Sequence, residues 1–103
     1  MSMKKQCYLI SGFQTTRQEM AEKHPDAWQQ LLDSEPYGIT AVMGEGSSAV
    51  LVGREIASAG DYSEDEEEPV VIDWPDKAEV IAALSLLGLE PSRIDTYFYV
   101  TWQ

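Results

Sequence analysis

The groups in this chain best able to do chemistry are carboxylates, and they are crowded together. Residues 60–69 read GDYSEDEEEP, which puts six acids in eight positions: Asp61, Glu64, Asp65, Glu66, Glu67 and Glu68. No base interrupts them. A run like this has three uses: caging a divalent cation, staying solvated, or entering a cationic groove. A calcium loop needs alternating oxygen ligands, a central glycine and a distant glutamate, and that spacing is absent, so no metal site is assigned. An extended chain advances about 3.3 Å per residue, close to the ~3.4 Å per charge along one DNA strand. The match points to mimicry of a nucleic-acid backbone, with Asp73, Asp76, Glu79 and Glu55 enlarging the surface. A solvated loop is the plain alternative.

No other residue type assembles into a reactive set. His24 is the only histidine and stands just before Pro25, without a serine or cysteine motif that would use it as a base. A single imidazole and a single cysteine cannot build a zinc cage. Cys7 alternates with Leu9 on an expected strand, which predicts a buried thiol rather than a nucleophile. GEGSSAVLVG has glycines, but it lacks a following Lys-Ser/Thr and leads into a strand, so it reads as a hairpin turn. A small metal-dependent nuclease would carry an acid at the end of its first strand, where this chain has Gly12 and Phe13. Trp28, Trp74 and Trp102, with Tyr8, Tyr97 and Tyr99, could stack on bases, but their acidic company favours core packing or a protein contact. No catalytic residue and no cofactor is expected.

Charge is distributed as unevenly along the chain as within the run. The 103 residues carry a net charge of −11, of which residues 55–90, with eleven acids and Lys77 alone as base, hold −10. Scattered charge would serve solubility equally well, so concentration in one third of the chain implies a working surface. Phosphates would be repelled, which argues against direct binding to nucleic acid or anionic lipid and for a basic protein partner. The apolar run near the amino terminus is too short for a signal peptide, and no stretch is long enough to span a bilayer. A lone thiol fits a reducing compartment, and the expected location is cytoplasmic.

The elements that must position this charge are legible as pattern. QCYLISGF alternates as a first strand, and Thr16 with Glu19 forms a capping-box signature for the helix that follows. Met20, His24, Ala27, Trp28, Leu31 and Leu32 share one face of it, and Pro25 either kinks the helix or restarts it. ITAVM and SSAVLVGREI predict a hairpin; VVIDW predicts a short strand. Asp76 and Glu79 predict a second capping box, while Gly88, Leu89 and Pro91 predict the end of that helix. Between them the helix is apolar nearly all round: Val80, Ile81, Leu84 and Leu87 form one stripe, with Ala78, Ala82, Leu86 and Leu89 elsewhere. Such a helix is covered on both sides or meets a partner, which includes a homodimer through residues 76–88. IDTYFYVTWQ alternates aromatics on both faces, as a strand covered on both sides would.

The order predicts one α+β domain over residues 1–103, with the acidic loop 60–69 inserted. Its architecture is a two-layer sandwich: an antiparallel sheet with two helices on one face, ferredoxin-like in connectivity, plus the short strand. In size, charge and want of catalytic motifs the chain resembles the small acidic inhibitors carried by phages and plasmids, among them DNA mimics, anti-restriction proteins and anti-CRISPRs. That resemblance implies a non-enzymatic inhibitor occupying a basic surface of a nucleic-acid-binding protein. The predicted contact residues, from the charge pattern, are Asp61, Glu64, Asp65, Glu66, Glu67, Glu68, Asp73, Asp76 and Glu79. Two alternatives stand beside it: an immunity or antitoxin protein neutralising a cognate toxin, and a small metabolite-binding regulatory domain or metal-dependent enzyme.

Overall fold

The computed structural model of the chain describes residues 5–44, 46, 48–60, 72 and 74–102. Its elements are β1 (Lys5–Thr16), α1 (Arg17–Lys23), α2 (Pro25–Asp33), a single 3-10 turn (Pro36–Gly38), β2 (Thr40–Val42), β3 (Ala49–Gly60), α3 (Lys77–Leu86) and β4 (Asp95–Trp102). The strands form one sheet in the order β2-β3-β1-β4, and every pairing is antiparallel. The fold is α+β, compatible with the two-layer sandwich expected from the sequence.

Local chemistry sets the helix boundaries. The Thr16 hydroxyl accepts from the backbone N–H of Glu19 at 3.1 Å, which is half of a capping box. The other half does not form. The Glu19 carboxylate instead accepts from the Thr15 hydroxyl at 3.1 Å and from Lys23 Nζ at 2.9 Å. Pro25 restarts the helix rather than kinking it: α1 closes with the His24 N–H donating to the Met20 carbonyl at 2.9 Å, and Pro25 opens α2. At that first position its missing N–H costs nothing. The segment before β2 reverses through Tyr37 and Gly38, both left-handed with φ of 56° and 74°.

The core lies between helices and sheet. Met20, Ala27, Leu31, Val80, Ala83, Leu84, Leu87 and Leu89 join Ile39, Val50, Val52 and Ile94 in one buried cluster, against which Phe13 and Trp28 pack. A smaller cluster of Ile10, Val42 and Leu51 occupies the opposite sheet face, beneath Tyr8, Tyr97 and Tyr99. Between β1 and β3 the backbones meet at Gly12 and Gly53, which pair directly. A methyl group on Gly12 would fall 2.0 Å from the Val52 carbonyl oxygen, and one on Gly53 2.2 Å from that of Ser11. No side chain fits at either position.

Several expectations are corrected. Leu32 projects into solvent, because the restart at Pro25 leaves only Ala27 and Leu31 of α2 buried. Ile81 is exposed and Ala83 takes its place in the buried stripe, while Leu89 is buried after all. The strand expected at residues 70–74 is absent at Ile72 and Trp74, and its other residues lie outside the described ones. Cys7 is half-buried rather than buried. β4 is not covered on both sides, since Phe98 and Val100 stand exposed.

Candidate functional site

The most densely charged part of the chain reaches the described structure at the start of α3. Of the nine predicted contact residues, Asp76 and Glu79 are described; Asp61, Glu64, Asp65, Glu66, Glu67, Glu68 and Asp73 lie outside the described residues. Asp76 caps α3, its Oδ1 accepting from the Ala78 N–H at 3.0 Å while its carbonyl takes the N–H groups of Glu79 and Val80. A carboxylate here also meets the positive end of the helix dipole. Glu79 does not reach back to complete the box. Its Oε2 faces Arg54 Nη1 at 3.7 Å, and Arg54 Nη2 donates to the Tyr37 carbonyl at 3.5 Å. That ion pair is long and its Glu79 side is 66% exposed, so it leaves most of the negative potential facing water.

The far end of α3 closes as its sequence predicts. Leu89 N–H donates to the Leu84 carbonyl and Gly88 N–H to that of Ser85, both at 2.9 Å, with Gly88 left-handed at φ 78°. This is a Schellman motif, and the buried pair Leu84 and Leu89 supplies its apolar contact. With both ends fixed, Val80, Ala83, Leu84 and Leu87 face the sheet. At about 100° per residue, Ala78, Ile81, Ala82, Ser85 and Leu86 then fall on the opposite arc. All five are exposed, Ile81 at 49% and Leu86 at 64%. Asp76 and Glu79 therefore adjoin an apolar helix face that reaches solvent. The all-apolar composition announced such a face, but periodicity alone exchanged Ile81 with Ala83.

Two other regions merit description. A cleft of about 500 Å³ runs along the start of β4, with Phe13, Met20 and Leu89 as apolar wall and His24, Arg93 and Asp95 among its polar lining. Arg93 Nε already forms an ion pair with Asp95 Oδ2 at 2.8 Å, and Glu19, also at this cleft, is held by Thr15 and Lys23. The Lys23 ammonium, then the Thr15 hydroxyl, hold the Glu19 carboxyl below its ordinary value; Glu19 in turn raises Lys23. Among the described residues none hydrogen-bonds the His24 imidazole, so no base and nucleophile are brought together there. Among the described residues no set of three His, Cys, Asp or Glu is placed to hold a metal ion.

The second region is aromatic. Tyr8, Tyr97 and Tyr99 are half-buried over Ile10 and Leu51, Trp28 packs on the main core, and Trp74 is 60% exposed beside Pro75. No helix among the described residues is long and apolar enough to cross a membrane. No family model, curated protein or solved structure matches the chain.

Proposed function

We propose that this chain is a non-enzymatic inhibitor that binds a basic, nucleic-acid-binding protein. Its contact surface is the acidic segment, Asp61 to Glu68 with Asp73, continued by Asp76 and Glu79 at the head of α3. One observation carries the reading: those two exposed carboxylates adjoin the outward apolar face of α3, so charge and anchoring area are contiguous. Electrostatic attraction speeds encounter and selects a cationic partner, while burial of apolar anchors such as Ile81 and Leu86 supplies holding energy. Occupying the partner's nucleic-acid site is the concrete form of inhibition. A toxin-neutralising protein would use the same surface against one cognate enzyme. The strand order β2-β3-β1-β4, with α1, α2 and α3 contributing to one cluster, supports ferredoxin-like connectivity as the scaffold.

The test is capture from the source cell followed by competition. A basic nucleic-acid-binding protein should be retained by the immobilised chain and released by added polynucleotide. Its retention should fail when Glu64 to Glu68 are changed to their amides. Retention that ignores both treatments would rule the reading out.

A further inference from the structure

The two edges of the sheet are built differently. β2, at one edge, pairs with β3 over only three residues. β4, at the other, runs eight residues and among the described residues is paired on one side alone, to β1. Long edges are normally blunted by lysine, proline, a bulge or a covering element. β4 has none of the first three: its sequence is DTYFYVTW, and its register with β1 runs unbroken from Asp95 opposite Gly12 to Trp102 opposite Lys5. The β1–β3 pairing, by contrast, does carry an irregularity, at Leu9/Ile10.

Mid-strand, Phe98 is 71% exposed and Val100 41%, on the sheet face opposite to Tyr97 and Tyr99. The residues around Phe98 are also nearly symmetric, with Tyr97 and Tyr99 on either side and Thr96 and Val100 beyond them. An antiparallel strand of the same sequence centred on Phe98 sets Phe98 against Phe98, Tyr97 against Tyr99 and Thr96 against Val100. Aromatic and β-branched cross-strand pairs of this kind are the stabilising ones. The edge carries no charge except Asp95, which Arg93 already holds at 2.8 Å.

We infer that a second copy of this chain adds to this edge, β4 antiparallel to β4 about a two-fold axis at Phe98. The two four-stranded sheets then become one continuous sheet, an isologous arrangement. The acidic segment leaves β3 at Gly60, and Ile72 beyond it lines a hollow with Phe98, so the net charge of −11 opposes the pairing most at low salt. Gly60 lies opposite Gln6, and Gln6 opposite Thr101, so it is two strands in from β4 and level with its last residues. Strand spacing and rise put the two copies of Gly60 about 30 Å apart, several times the ~8 Å screening length at physiological salt. The pairing goes beyond the functional reading and does not depend on it, since it uses the β4 edge and not the outward face of α3.

Sedimentation equilibrium of the full chain tests the inference. The wild type should dimerise, and Phe98→Lys, which places two ammonium groups opposite each other, should raise the dissociation constant at least about a hundredfold, tenfold for each copy. Leu86→Lys, on the exposed face of α3, should leave the dimer intact. In a Cys7→Ser background, Phe98→Cys should form a disulfide-linked dimer under mild oxidation, which keeps the test decisive if the lysine variant folds poorly. A monomeric wild type, a dimer broken by Leu86→Lys but not by Phe98→Lys, or an edge that pairs only with foreign peptides would each overturn it.

Discussion

Replacing Gly12 with alanine should damage this fold more than the same change at Gly38, Gly46 or Gly88. The added carbon would lie 2.0 Å from the Val52 carbonyl oxygen, 2.6 Å from the Gly53 Cα and 2.8 Å from the Val52 carbonyl carbon. An ordinary contact of carbon with a carbonyl oxygen is about 3.3 Å, so the overlap exceeds roughly 1 Å. All three atoms are backbone, and none can rotate away. The central pair of strands must part, at an overpacking cost of about 1–3 kcal/mol. Weakening two neighbouring ladder hydrogen bonds adds about 1 kcal/mol each, for a total near 3–5 kcal/mol. Domains of this size are stable by about 5–15 kcal/mol, so the loss is a large share. Gly88→Ala is the control: its φ is 78°, but no atom lies within 4 Å of the new methyl. It should cost only about 1 kcal/mol, the penalty of a left-handed alanine. Gly12→Ala with Gly53→Ala should cost less than the sum, because both relieve the same crowding once the strands separate. Urea unfolding followed by circular dichroism measures wild type, the three single variants and the double variant. A Gly12→Ala variant within about 0.5 kcal/mol of wild type, or one less damaged than Gly88→Ala, would refute the close approach.

The two faces of α3 should respond oppositely to truncation. Leu84→Ala, at a fully buried position, should cost about 2–5 kcal/mol in the same unfolding assay, whereas Leu86→Ala, 64% exposed, should stay within about 0.5 kcal/mol. Equal losses would mean the helix is covered on both sides. Glu19 offers a local pH test. Its carboxyl is lowered in the folded chain, so its ionisation favours the fold above the ordinary carboxylate range, and that contribution is lost as pH falls through the lowered value. Lys23→Gln removes the largest cause, and a carbonyl-detected NMR titration should show Glu19 rising toward its ordinary value. An unmoved titration would show that Lys23 does not hold it.

What could be read from the sequence was what neighbouring residues decide between themselves. Asp76 as a cap and Gly88 with Leu89 as a closing motif are local hydrogen-bond chemistry, and α3 obeys both. Thr16 caps α1 as its sequence implies, but the Glu19 carboxylate bonds Thr15 and Lys23 instead of reaching back to the Thr16 N–H. The errors arose where distant parts of the chain decide. A helix apolar all round offers no periodic preference, so only the sheet selects Ala83 over Ile81. Alternating aromatics made residues 94–103 look covered on both sides, because nothing in a strand's own composition says that it will be an edge. Gly12 and Gly53 are unremarkable in their own strands, and their meaning appears only on pairing. Of the candidate site, the charge is plain in the sequence. The apolar helix face that adjoins it could be placed only once the buried stripe was known.

In the proposed complex the acids between residues 55 and 90 face a cationic protein. The most direct measurement is the dissociation constant of the isolated complex across a salt series, for the wild type and for a variant with Glu64, Asp65, Glu66, Glu67 and Glu68 amidated. Wild-type binding should weaken steeply with added salt, and the variant should bind poorly at every concentration with a much flatter dependence. Equal affinities with parallel salt curves would contradict it.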